Sequence, residues 1–106
     1  MAVDIETINQ LVKAYANDVR SVFPVDRVIL FGSHAKGTAH ADSDIDIAVI
    51  LNGFTGDYLE TSKQLYRLRR NISADIEPVL LDSSHDESGF VAEVFRTGQV
   101  LSARPA

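Results

Sequence analysis

Apolar residues fall at Ile5, Ile8, Val12, Tyr15, Val19 and Val22, recurring at intervals of three and four, the spacing of one buried helical stripe. Asp4 is placed to cap this helix, the pattern carries it to about Phe23, and Pro24 ends it. RVILF, residues 27–31, is a short apolar run with β-branched members and reads as a buried strand. Gly32-Ser33 breaks it. Ser33 is a good N-cap for one or two short helical turns, which Gly37 stops.

DIDIAVIL, residues 44–51, alternates. Asp44, Asp46, Ala48 and Ile50 share one face, and Ile45, Ile47, Val49 and Leu51 share the other, which is a strand by period two. NGFTG is a turn. A second helix is expected over 57–70, with Tyr58, Leu59, Leu65, Tyr66 and Leu68 as its apolar members, and ADIEPVLL, residues 74–81, as a third strand. Pro78 cannot donate to a ladder, so that strand belongs at an edge or carries a bulge. A last helix is expected over 86–97, weakened in its first turn by Gly89 and stopped by Gly98, and VLSA is read as a short extended piece. The order α-β-α-β-α-β-α predicts a small sheet with helices packed against it, an α/β (α+β) fold in a single domain over residues 1–106.

Composition narrows the function classes. The chain has 106 residues, is 45% hydrophobic and 24% charged, and contains no cysteine, so disulfides and thiolate metal sites are excluded. The cysteine-free composition fits a reducing cytoplasm. No apolar run approaches the ~18 residues of a membrane span, and MAVDIETINQ lacks the basic and apolar regions of a secretory signal. The net charge of −5 argues against generic nucleic-acid binding. One local exception is KQLYRLRR, which holds Lys63, Arg67, Arg69 and Arg70. It reads first as a solvated helix face, with docking or phosphate contact as the alternative.

The chemistry concentrates in GSHAKGTAHADSDID, residues 32–46, where Asp42, Asp44 and Asp46 crowd within five positions. On a strand, Asp44 and Asp46 project from one face about 7 Å apart. Carboxylates so placed can converge on divalent ions, since paired catalytic metals sit roughly 3.5–4 Å apart. Hard oxygen ligands suit Mg²⁺ or Mn²⁺, and Mg²⁺ is held by one or two carboxylates plus substrate phosphates. The strand–Gly-Ser–helix junction ahead of them suits those phosphates: glycine allows close approach, backbone N–H groups favour anions, Ser33 adds a hydroxyl and Lys36 is placed to add a cation. Edge-strand charges beside an ordinary turn are the bland alternative. It explains either half alone, but two ionised groups on one side of an apolar strand call for a compensating charge. Asp42 is read as a turn residue, and the three scattered histidines, His34, His40 and His85, do not suggest a zinc site.

GSHAKGTAHADSDIDIAVI resembles the G-S-x-A-x-G…S-D-x-D motif of the DNA polymerase β nucleotidyltransferase superfamily, and the small size resembles its minimal members, the MNT-type antitoxins paired with HEPN toxins. The resemblance implies a mixed sheet flanked by helices. It implies that Gly32 and Ser33 hold the β/γ phosphates of ATP and that Asp44 and Asp46 bind Mg²⁺. A third carboxylate early in the strand after the helix, here Asp75 with Glu77 on the same face as the fallback, would share the metal and activate the acceptor hydroxyl. Many members have arginine where this chain has His34 or Lys36. The implied activity is Mg²⁺-dependent transfer of AMP to a hydroxyl, a tyrosine of a partner HEPN ribonuclease toxin, in the cytoplasm. The chain has no residues to spare for a substrate domain, so a partner is expected to present the acceptor. Two rivals stand beside this reading: an antitoxin that works by occlusion, and a transferase acting on a small molecule such as an aminoglycoside.

Overall fold

The stripe of apolar residues at the start of the chain forms α1, Ile5–Val22, in a computed structural model that describes residues 5–40 and 42–103. Asp4, the expected cap, lies outside the described residues. Only the middle of the stripe is core: Val12, Tyr15 and Val19 are fully buried, whereas Ile5 and Val22 at the two ends face solvent. After α1 come β1 (Arg27–Phe31), a single turn α2 (Ser33–Lys36) and β2 (Ile45–Leu51). Then follow α3 (Tyr58–Leu68), which tightens into a 3₁₀ turn over Arg69–Asn71, β3 (Ile76–Asp82), α4 (Phe90–Thr97) and β4 (Gln99–Ala103).

The four strands make one mixed sheet in the order β3-β2-β1-β4. β1 runs antiparallel to both neighbours, and β2 pairs with β3 in parallel through the α3 crossover. β3 is therefore an edge, the position Pro78 requires. VLSA belongs to β4, so the last extended piece completes the opposite edge rather than hanging free.

The two faces of β2 go to two separate cores, as its alternation predicts. Ile45, Ile47, Val49 and Leu51 join Val28 and Leu30 beneath Val12, Tyr15 and Val19 of α1 and Leu65 of α3. Ala48 and Ile50 join Ile29 beneath Val91 and Val94 of α4. Each fully buried aliphatic side chain contributes about 1.5–3 kcal/mol relative to exposure, which makes the larger cluster the main source of stability. Tyr15 sits in it with no exposed surface and donates its hydroxyl to the Leu65 carbonyl at 2.7 Å, tying α1 to α3, and burial raises its pKa. The smaller cluster lies under one short helix, with Phe31 and Leu81 packed at its margin.

Two local expectations are corrected, at the starts of α2 and α4, and the apolar residues of α3 divide between core and surface. Gly32, not Ser33, occupies the N-cap of α2, with φ 72° and ψ −150°, a conformation glycine adopts without strain; Ser33 is already helical. In α3 only Leu65 is buried, and Tyr58, Leu59 and Tyr66 face outward, so most of the apolar residues of that helix are not core. α4 begins at Phe90 rather than at residue 86, because Asp86 accepts from the Val91 and Ala92 amides at 2.9 and 3.0 Å and caps the helix from outside.

Candidate active site

The open end of the α4 face gathers the acidic residues. Asp46 is the second residue of β2 and lies opposite Phe31 of β1 on one side and Glu77 of β3 on the other. Neighbours in register point to the same face, so Asp46 and Glu77 stand side by side, with Asp44 two positions before Asp46. Their charges reach one another. Partial burial raises the pKa of Asp46 most, Asp44 and then Glu77 raise it further, and His34 opposes them. Among the described residues no donor hydrogen-bonds the Asp46 carboxylate.

Asp75 lies just ahead of β3 and is exposed. Its carbonyl accepts from the Ile45 amide at 2.8 Å, which joins the starts of β2 and β3, and its own amide is held by the Ser73 hydroxyl at 3.1 Å. It shares strand parity with Glu77, but Glu77 is the one whose charge acts on Asp46. Among the described residues no three acidic or histidine side chains sit close enough together to cage a metal ion as they stand.

Glu77 is held from the α3 side, around the sheet edge. The Tyr66 hydroxyl donates to its Oε2 at 2.9 Å, and Arg69 approaches its Oε1 at 3.8 Å. Arg69 also donates to the carbonyls of Ala74 and Ile76 at 3.1 and 2.8 Å, and its guanidinium lies 4.8 Å from the centre of the Tyr66 ring. The bond to Glu77 raises the pKa of Tyr66, because the phenol must stay protonated to donate. Neither role is legible in the sequence, since both depend on how α3 packs against an edge strand.

Gly32 approaches the same carboxylates from β1. A β-carbon added there would overlap the Asp46 side chain, so only glycine lets the turn backbone pass so close. Ser33 and His34 follow on α2, half-buried. The Nε2 atom of His34 is buried and has no hydrogen-bond partner, and its ring is near enough to act on Asp46. Lys36 is exposed, and its charge acts on Glu93 of α4. His34 thus acts on the carboxylates, whereas Lys36, placed by the sequence to add a cation, acts on α4. The linker is closed by His40 and Ser43, whose amides bond each other's oxygens at 2.9 Å, and Asp42 is an exposed turn residue there.

These features fit a divalent cation shared with phosphates. Asp46 is partly buried beside exposed Asp44 and beside Glu77, whose charges oppose its ionisation until a cation joins them, and two protein carboxylates suffice for Mg²⁺ when a substrate supplies the remaining oxygens. The orphaned His34 nitrogen and the glycine-lined approach mark the side from which an anion would arrive. The sequence model of the polymerase beta nucleotidyltransferases matches residues 6–105, nearly the whole chain.

The chain belongs to the polymerase beta nucleotidyltransferase family. A Methanocaldococcus jannaschii protein whose name carries a provisional assignment as a protein adenylyltransferase is 35% identical over 46 residues, 42% of this chain and 46% of that protein. The chain thus aligns with about half the length of the curated relative it matches. Among solved structures, a provisionally assigned nucleotidyltransferase from Sulfolobus solfataricus superposes with a TM-score of 0.72 at 26% identity, covering 94% of this chain and 86% of that one. A toxin–antitoxin structure with AMP-PNP superposes with a TM-score of 0.63 at 27% identity, covering 96% of this chain and 75% of that one. The mixed sheet flanked by helices is thus the fold of this nucleotidyltransferase family. No helix among the described residues is long and apolar enough to cross a membrane.

Proposed function

We propose that this nucleotidyltransferase moves AMP from ATP to a hydroxyl of a partner protein, a tyrosine of a HEPN-type toxin, and acts as its antitoxin in the cytoplasm. The observation that carries the reading is the set of carboxylates at Asp44, Asp46 and Glu77, where no described residue donates to Asp46 and Gly32 of the Gly32–Ser33 turn packs against it. Support for the acceptor comes from the relative named for protein adenylylation and from the toxin–antitoxin structure with AMP-PNP.

Asp44 and Asp46 would hold Mg²⁺. Bound there, the ion supplies charge neutralisation to the phosphates and acidity to the acceptor hydroxyl. Gly32 admits the phosphates to the backbone of the turn, and Ser33 offers them a hydroxyl. His34 offers its unpartnered Nε2, and Lys36 has the reach of a flexible surface cation. The acceptor oxygen attacks the α-phosphorus, the bond from that phosphorus to the bridging oxygen breaks, and pyrophosphate leaves. The acceptor proton passes to the third carboxylate. We assign that part to Glu77, because Glu77 stands opposite Asp46 and is held by Tyr66 and Arg69, with Asp75 as the other candidate on the same face.

The test is incubation of the chain and its co-encoded partner with labelled ATP and Mg²⁺, followed by mass mapping of the partner. An AMP adduct on a tyrosine that disappears with Asp44→Asn/Asp46→Asn is the expected result. Neutralisation of the partner that persists in that variant, with no adduct, would establish occlusion instead. Glu77→Gln and Asp75→Asn, compared under the same conditions, decide the third carboxylate: the larger loss is expected at Glu77.

A further inference from the structure

The basic helix that the carboxylate chemistry does not use has a place of its own. A groove of about 690 Å³ runs along α3 and the 3₁₀ turn, lined by Leu59, Lys63, Tyr66, Arg67, Arg70 and Ala74. Leu59, Lys63, Tyr66 and Arg70 recur at four and three, one stripe of helix, on the side away from buried Leu65. Four of the ten basic residues fall within residues 63–70 of a chain whose net charge is −5. Arg69 is turned inward onto Glu77 and the β3 carbonyls. Among the described residues Lys63 and Arg70 have no ion pair, and Arg67 has only Glu60 at 3.7 Å, both side chains more than half exposed. Such a pair holds its cation weakly.

The groove and the carboxylate site share a wall. Tyr66 lines the groove together with Arg69 and donates its hydroxyl to Glu77 at 2.9 Å. Leu59 stays 65% exposed at the other end of the stripe, with Tyr58 beside it at 57%. Basic side chains interleaved with exposed Leu and Tyr fit a protein segment, since Arg and Tyr anchor protein interfaces and an apolar side chain gains from covering Leu59. A phosphate backbone suits the surface less well: it would run from the groove into the Asp44, Asp46 and Glu77 charges. We propose that this groove docks an acidic, partly apolar segment of the acceptor protein and so delivers the acceptor hydroxyl past Tyr66 to Glu77. The inference rests on the protein acceptor proposed above.

Two fluorescent tyrosine-bearing peptides test it by anisotropy, one rich in glutamate with a leucine and one with glutamine in place of each glutamate; a uridine oligonucleotide is the third probe. The glutamate peptide is expected to bind best, to weaken as salt rises, and to lose at least ~10-fold in affinity with Lys63→Glu/Arg67→Glu/Arg70→Glu. Circular dichroism checks that this variant folds, and Lys63→Gln/Arg67→Gln/Arg70→Gln, which introduces no repulsion, is expected to lose affinity in the same direction. Equal binding of the two peptides, tighter binding of the oligonucleotide, or a change in self-association as the sole effect of charge reversal would overturn the docking proposal. Asp44→Asn/Asp46→Asn separates this from the transfer reading. Peptide affinity kept in that variant, with no AMP transfer by the unmodified chain to any acceptor, would sink the transfer reading and leave the groove. Transfer to the co-encoded partner with unchanged KM after charge reversal would sink the groove and leave the transfer.

Discussion

Two aspartates on the adjacent strands β2 and β3 have opposite fates. Asp82 ends β3, and both of its oxygens are occupied. Oδ1 accepts from the Gly53 amide at 3.0 Å, the Ser84 amide at 2.9 Å and the Ser84 hydroxyl at 2.7 Å, and Oδ2 accepts from the Phe54 amide at 3.0 Å. The Ser84 bonds first, then those of Gly53 and Phe54, hold its carboxyl far below the usual range. Asp46, near the start of β2, has no donor among the described residues; partial burial first, then the charges of Asp44 and Glu77, push its pKa up. A carboxylate surrounded by donors completes the fold: Asp82 pins the turn after β2 to the turn after β3. A carboxylate kept among like charges costs the fold something and implies a partner from outside the chain.

The sharpest way to break this contrast is to neutralise each member. On the mechanism proposed above, Asp46→Asn is expected to lower AMP transfer by about 10³-fold or more, because a charge assigned to the metal is lost. Its melting temperature in the absence of metal should hold or rise, because repulsion is relieved. Asp82→Asn should do the reverse, lowering the melting temperature by several degrees while transfer per folded molecule stays near normal. The pH dependence follows with opposite signs. The folded-state pKa of Asp82 is depressed, so its contribution is present above the unfolded value of about 3.8 and is lost as pH falls toward the folded value. That of Asp46 is raised, so its ionisation opposes folding, and stability relative to Asp46→Asn declines as pH rises through the raised value. Thermal melts of both variants check this, run below the unfolded carboxylate value for Asp82 and above it for Asp46. A comparable destabilisation by both substitutions would end the distinction.

A second pair, this time of glycines, sharpens it. Gly32→Ala forces a methyl group into the Asp46 carboxylate at φ 72°, so transfer should fall by about 10²-fold as the ligand is displaced. Gly98→Ala meets the Val94 and Leu30 carbonyls and the Ile29 side chain instead, at an ordinary φ of −88°. Overpacking there should cost about 1–3 kcal/mol of stability with little direct effect on transfer. Steady-state rates on folded protein and denaturant midpoints separate the two.

The parts of this site that the sequence displays are local ones. The alternation of DIDIAVIL places Asp46 on the face of Ala48 and Ile50, and the two cores divide the apolar members as it predicts, although β2 begins at Ile45 and leaves Asp44 just ahead of the strand. Gly32 and Gly37 mark the turn because positive φ is written into the residue type. The register between β2 and β3 is set at long range by α3 packing and by the joint of Ile45 to Asp75, so no local pattern says that Glu77 is the one opposite Asp46. The outward face of α3 is hidden for a similar reason. The apolar residues of α3 are alike in the sequence, and only tertiary packing shows that Leu65, with Leu68 beside it, meets the core while Tyr58, Leu59 and Tyr66 stay exposed.

The smallest effect tests whether Glu77 behaves more like Asp82 or more like Asp46. It has a hydroxyl donor at 2.9 Å and a guanidinium at 3.8 Å, yet it stands opposite Asp46 and its charge acts there. If Tyr66 positions Glu77 for the metal and acceptor, Tyr66→Phe removes one oxygen and frees the carboxylate to rotate. Groups that orient a ligand from behind typically contribute 10–100-fold, and the retained Arg69 contact argues for the low end, about tenfold. The loss should appear as a higher Mn²⁺ concentration for half-maximal transfer, with the melting temperature almost unchanged, since Tyr66 is a surface residue. If Glu77 is instead a structural anchor for the sheet edge, Tyr66→Phe should lower the melting temperature and leave the Mn²⁺ dependence alone. A carboxylate with donors on one side and like charges on the other can serve either master, and the metal titration tells which.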